Sequence, residues 1–294
     1  MRIMIIGRFI KLYDEEYIAR SFESLGHEVL RANVTALPVD LTHSLNKFNP
    51  DILLFNKWVI PDVMKPHVEA KRKNGMKTVC WVFDLYFNYP REHLVKQHPM
   101  FKADYVFTTD GGNDHRWAEY GINHKCVRQG IYKPHCYVLE PRTATSEVVF
   151  VGSESPIYPQ RNETILKLGK KYKVRWFGRN NTNEARDEDL NMLYSMSKIV
   201  VGDSYPSPRY WSNRVVETLG RGGFLIHRMV DGIKEEYPYL VTYDGTFEDL
   251  CEKIDYYLEH EDERREIIQK NYEWVKNRYT MDKKCQELLD YVNH

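Results

Sequence analysis

The residues best placed to do chemistry lie in YWSNRVVETLGRGGFLIHR, Tyr210 to Arg228. Ser212 or Asn213 can cap a helix whose free backbone N–H groups and positive dipole end favour a phosphate. Arg214 brings a fork-shaped cation to the first turn, and Glu217, one turn beyond Asn213, can accept hydrogen bonds from a ribose diol. A plainer reading also fits: Ser212 caps, Arg214 pairs with Glu217 along the helix, and Gly220, Gly222 and Gly223 end it before the strand FLIH. Spacing alone leaves both readings open.

Other candidates follow strands, because ligands of open parallel sheets gather outside the carboxyl ends. Asp84 ends KTVCWVFD, where it can bind an acceptor or act as general base, or else cap a loop or pair with an arginine. Asp110 ends DYVFTTD and His115 follows shortly; the Asp-Gly-Gly between them also reads simply as a turn. Gly152 and Ser153 end another strand and allow a close backbone approach to phosphate. Arg161 opens the next helix, and Trp176, Phe177, Gly178 and Arg179 end the strand after it, where they can flank a base. Asp187-Glu188-Asp189 has the D-x-D spacing of a metal site but sits in a polar loop before a helix, which favours capping. Neither a G-x-x-x-x-G-K-[ST] loop, a G-x-G-x-x-G turn, a G-x-S-x-G elbow nor an H-E-x-x-H helix occurs.

The elements that must position these residues alternate. MRIMIIGRF and SEVVFVGSE each run from apolar β-type residues to a glycine, then through a helical stretch to a second strand, HEVLRANV or KVRWFG. Further strands and helices alternate in both halves, which predicts two parallel sheets covered on both faces, an α/β fold of two Rossmann-like domains. IYKPHCYVLEPRTATSE, without apolar period, reads as the linker. Expected boundaries are 1–142, 143–278 and a C-terminal helix segment, 279–294.

Tyr210 to Arg228 resembles the donor-site helix of GT-B glycosyltransferases, in the glycosyl-transferase group 1 branch that includes spore-maturation-protein-like (CgeB-like) enzymes. The likeness runs from about Val148 to Val292 and includes DLCEKIDYYL and two terminal helices; over the first 140 residues it rests on WVFD and FTTD. It implies a GT-B fold with two Rossmann-like domains facing across a cleft and a C-terminal helix crossing back to the first domain. It implies a donor-ribose role for Glu217 and matches Arg161 to an arginine common at that place. Many relatives carry a second glutamate eight positions earlier, where Arg209 stands here; an arginine can instead touch the diphosphate.

Composition narrows the classes further. The 294 residues suit two domains, and 42 basic against 42 acidic residues give no global field toward nucleic acid or membrane. Five cysteines without a C-x-x-C pair argue against a disulfide framework or a structural zinc site. The opening lacks a signal-peptide core, and no run is long enough to span a bilayer, so the expected location is the cytoplasm.

The expected activity is transfer of a sugar from a nucleotide-diphosphate sugar, the co-substrate, to an acceptor hydroxyl, with no metal and no other cofactor. Arg214, with Arg209 or Arg161, would neutralise the leaving diphosphate. The acceptor stays open between polysaccharide, protein, small molecule and modified nucleic acid, as does inversion against retention. Two other readings share the pattern: a nucleotide-sugar epimerase, and a non-catalytic nucleotide-sugar-binding protein.

Overall fold

The computed structural model describes residues 1–10, 14–140, 143–154, 156–178 and 184–294; Arg179 lies outside them. The chain forms two units, residues 1–129 with 281–294, and residues 130–280.

Unit 1 is built on six parallel strands, β1 (Arg2–Gly7), β2 (Glu28–Asn33), β3 (Ile52–Phe55), β4 (Lys77–Trp81), β5 (Tyr105–Thr108) and β6 (His124–Cys126), in the order β2-β1-β3-β4-β5-β6. The pleat sends Met4 and Ile6 to one face and Ile3 and Ile5 to the other, so both faces need cover. Helices α1 (Asp14–Ser24), α2 (Pro38–Phe48), α3 (Lys65–Lys73), α4 (His93–Gln97), α5 (Asp114–Glu119) and α12 (Met281–Asn293) belong to this unit. Leu41, Leu45, Val68 and Trp117 cover one face; Ile18 and Phe22 of α1 with Cys285, Leu288 and Leu289 of α12 cover the other.

Unit 2 repeats the plan with β7 (Ser146–Val151), β8 (Val174–Phe177), β9 (Ser197–Gly202), β10 (Leu225–Arg228) and β11 (Val241–Tyr243), in the order β11-β10-β9-β7-β8 and again parallel. Its helices are α6 (Pro159–Lys171), α7 (Glu188–Ser195), α8 (Arg214–Gly220), α9 (Ile233–Glu236), α10 (Phe247–Glu259) and α11 (Glu261–Arg278). In each sheet the first and third strands of the unit lie side by side, which creates a topological switch point, β1/β3 in one and β7/β9 in the other.

The segment read as linker is partly folded structure. Ile131 is fully buried in the unit 2 core and takes a backbone bond from its N–H to Tyr279 O, while Asn191 Nδ2 donates to the carbonyls of His135 and Tyr137. Backbone bonding, not apolar period, holds it, which is why the pattern missed it. Among the described residues no helix is long and apolar enough to cross a membrane.

Candidate functional site

At the β7/β9 switch point the chain leaves the two strands in different directions, so their last carbonyls lose ladder partners. Arg214 supplies them. Its Nε donates to Val151 O at 2.6 Å and its Nη1 to Asp203 O at 3.2 Å, and the guanidinium lies 4.9 Å from the Phe150 ring centre. Burial first, and then the nearby Arg161, pull its pKa below the ordinary arginine value. Asp203 answers both cations: Arg161 Nε reaches its two oxygens at 2.7 and 2.9 Å, and Arg214 Nη1 approaches to 3.7 Å. Arg214 therefore ties strand ends together, and the pairing with Glu217 does not form.

The expected helix start is also different. α8 begins at Arg214, Asn213 already has helical angles, and it makes no side-chain cap. Ser212 Oγ is buried without a hydrogen-bond partner among the described residues, so it does not cap either. Ser212 N–H instead donates to Ser204 Oγ, and Ser204 Oγ lies 3.2 Å from His227 Nε2. His227 Nδ1 stands 2.6 Å from Arg228 O, an acceptor, so Nδ1 carries the proton and Nε2 accepts from Ser204. This chain joins the loop after β9 to the end of β10, and burial pushes the His227 pKa down to about 4, which keeps it neutral.

The structure brings Gly152, Ser153, Phe177 and Gly178 together at the ends of β7 and β8. Gly152 N–H donates to Phe177 O at 2.9 Å, and Trp176 Nε1 donates to Gly152 O at 2.7 Å. Gly178 has φ +83°, and a Cβ there would stand 3.2 Å from the Gly152 carbonyl carbon and oxygen, so the two loops touch backbone to backbone.

A cavity of about 280 Å³ opens beside the switch point, lined by Tyr158, Arg161, Asp203, Tyr205, Arg228 and Tyr243 among others. Arg228 makes no side-chain hydrogen bond or ion pair among the described residues. The start of α6 also lines it: Tyr158, the residue before the helix, makes no side-chain cap, and the first amides of a helix have no intrahelical acceptor. α6 opens with Pro159, so the first N–H groups at its start are those of Gln160 and Arg161.

Glu217 sits in a second polar cluster that spacing showed only in part. Arg221 sends Nε and Nη2 to the same oxygen, Glu217 Oε2, at 2.8 and 2.7 Å. Arg221 Nη1 donates to Asp187 O at 2.7 Å and to Asn191 Oδ1, and Nη2 lies 3.3 Å from His135 Nδ1. Burial, then Arg221, lowers the His135 pKa, consistent with a neutral ring accepting at Nδ1. Glu217 Oε1 accepts no hydrogen bond among the described residues, so one fixed oxygen stays available. The position of Arg221 four residues after Glu217 was visible in sequence; His135 was not. Asp187, expected as a cap, makes no cap bond and takes φ +49°.

Arg209 pairs with α9. At φ +50° its Nη2 pairs with Glu235 Oε2 at 2.9 Å and its guanidinium lies against Gly232.

In unit 1, Asp84 is ion-paired through Oδ2 with Lys57 and through Oδ1 with Arg91 at 3.0 Å. Asp110 is fully buried: Oδ2 accepts from Phe87 N at 3.0 Å and Oδ1 from Asn113 Nδ2, and burial raises its pKa. It braces the loop after β4 and cannot meet a substrate. His115 is exposed in the first turn of α5, joined to neither aspartate.

Two α/β units with these sheets are the GT-B fold. An α,α-trehalose-phosphate synthase (UDP-forming) from Burkholderia vietnamiensis superposes with a TM-score of 0.63 at 10% identity, covering 100% of each chain. An α1,3-fucosyltransferase gives 0.58 at 12% identity over 99% of this chain and 89% of its own. UDP-GlcNAc 2-epimerase from Neisseria meningitidis, bound to UDP-GlcNAc, gives 0.55 at 12% identity over 99% of both chains. In sequence, residues 146–290 match the family model described as "Glycosyl transferase-like". Among curated proteins no match is found. The solved structures show the fold, and the family match covers residues 146–290.

Proposed function

We propose that this protein transfers a sugar from a nucleotide-diphosphate sugar to an acceptor hydroxyl, with the donor bound on unit 2 and no metal required. Arg161, Arg228 and the amides at the start of α6 offer the diphosphate positive charge, and tyrosines 158, 205 and 243 offer faces to sugar or base. The observation that carries the reading is Glu217: inside the stretch that matches the glycosyltransferase-like model, its carboxylate is locked by Arg221 through one oxygen while the other is left for a ribose diol. A preset acceptor binds with little loss of side-chain entropy.

The test is calorimetric titration with UDP-GlcNAc and with uridine, guanosine, thymidine, cytidine and adenosine diphosphate glucose. Glu217→Gln keeps an oxygen for Arg221 and removes the charge. A charged hydrogen bond contributes ~1.5–3 kcal/mol, so binding should weaken about 10-fold or more. Undiminished affinity in Glu217→Gln and Glu217→Ala refutes the assignment. An isomer formed from donor alone would favour the epimerase reading, and saturable binding without turnover the non-catalytic one.

A further inference from the structure

Unit 1 holds a cavity of about 390 Å³ between α3 and the short turn Pro99–Lys102 before β5, within the roughly 300–1,000 Å³ of small-molecule sites. Every residue that lines it belongs to unit 1. One clamp sets the spacing of its walls. Arg72, in the last turn of α3, sends Nε and Nη2 to the two oxygens of Asp104, the residue just before β5. Asp104 Oδ2 in turn accepts from Thr78 N at 2.8 Å and from Thr78 Oγ1 at 2.7 Å, which ties the helix to β4 as well. The space between helix and turn is therefore built into the fold.

Its inner lining is apolar. Phe55, Val68 and Met100 are buried, and Trp58 stands edge-on to Phe55 with ring centres 6.4 Å apart. Aromatic edges and a polarisable sulfur add attraction for a flat ring beyond the area it buries, which favours an aromatic guest over an alkyl chain. The rim is charged, with Lys65, Arg72 and Lys102 against Glu69. Glu69 is held by Arg72 at 2.8 Å, so it competes little for the lysines. Lys65 pairs with Asp62, whose side chain is 94% exposed, a contact that water and salt weaken. Lys102 makes no side-chain hydrogen bond or ion pair among the described residues. Two lysines, one on the helix and one on the turn, are thus available to an anion.

We propose that this cavity binds an aromatic carboxylate, with its ring against Phe55, Trp58 and Met100 and its carboxylate toward Lys65 and Lys102. An apolar interior with a few convergent charges at the mouth gives such a ligand both burial and orientation. The site belongs to unit 1 by itself and stands independently of the glycosyl-transfer reading.

The experiment is calorimetric titration of the full chain with naphthalene-2-carboxylate, and in parallel with 2-naphthylmethanol, the same ring without charge, and with decanoate, an aliphatic anion. Wild type should bind the naphthoate saturably at one site per chain. The alcohol should bind about fivefold more weakly, the worth of one exposed ion pair, and decanoate more weakly than the naphthoate. Lys102→Glu, a change at an exposed side chain, should weaken the naphthoate by about fivefold or more. Ala103→Leu fills the cavity from its lining and should abolish binding. Should thermal unfolding show that Ala103→Leu does not fold, Lys102→Glu decides by itself. Equal affinity for acid and alcohol, or tighter binding of decanoate, overturns the aromatic-anion assignment. Wild-type affinity in Lys102→Glu, or no saturable binding by wild type, overturns the site.

Discussion

His227 gives the sharpest test of how the switch point is held. It is fully buried, its Nδ1–H bonded to Arg228 O and its Nε2 accepting from Ser204. Burial depresses its pKa from 6.5 to about 4 in the folded protein. As pH falls, the unfolded chain takes up the proton first, so stability is unaffected above about pH 6.5 and drains away between about 6.5 and 4. At pH 4.5 the unfolded imidazole is almost wholly protonated and the folded one only about a quarter so, a difference of about 2.5 kcal/mol. For a unit of this size that is a fall in Tm of roughly 5–10 °C. Protonation would also turn Nε2 into a donor and break the acceptor role that holds Ser204.

Other groups titrate over the same range, so the measurement is a difference. Tm is followed from pH 7.5 to 4.5 for wild type and for His227→Asn, whose amide N–H can replace Nδ1–H without titrating. Wild type should lose about 2.5 kcal/mol more than the variant across that range. Parallel pH curves for the two proteins would refute the buried, neutral imidazole and the hydrogen-bonded chain built on it.

Arg214→Met removes the donors to Val151 O and Asp203 O, two backbone acceptors that water reaches poorly, at about 1–3 kcal/mol each. Thermal unfolding should show that loss before any ligand is added; unchanged stability with weaker donor binding would return Arg214 to the role of diphosphate ligand. Gly178→Ala forces a side chain into φ +83° against the Gly152 carbonyl and should cost roughly 1–2 kcal/mol or more, while weakening nucleotide-sugar binding through the displaced loop. Equal stability and affinity in calorimetry would mean that the two loops are not packed as described.

Periodicity made the sheets legible because two-sided burial demands near-continuous apolar strands, as in Ile3 to Ile6 and Ile52 to Phe55, punctuated by turn glycines. It missed the folding of Ile131 to Tyr137 onto unit 2, since the backbone of that segment is held by the side-chain amide of Asn191 and the carbonyl of Tyr279, which leaves no pattern in side-chain polarity. At the candidate site, sequence picked out Glu217, Gly152, Gly178 and Arg161 because glycines at strand ends and charged residues at helix starts have recognisable local signatures.

What the sequence determined by itself was local: which residues alternate, where strands stop, and which side chains lie one helical turn apart. Tertiary structure decided the partners. It gave Arg214 to the carbonyls of Val151 and Asp203, Arg161 to the carboxylate of Asp203, and Arg209 to Glu235. A long charged side chain has several oxygens within its reach, and only the fold's arrangement of strand ends fixes which of them is left without another donor.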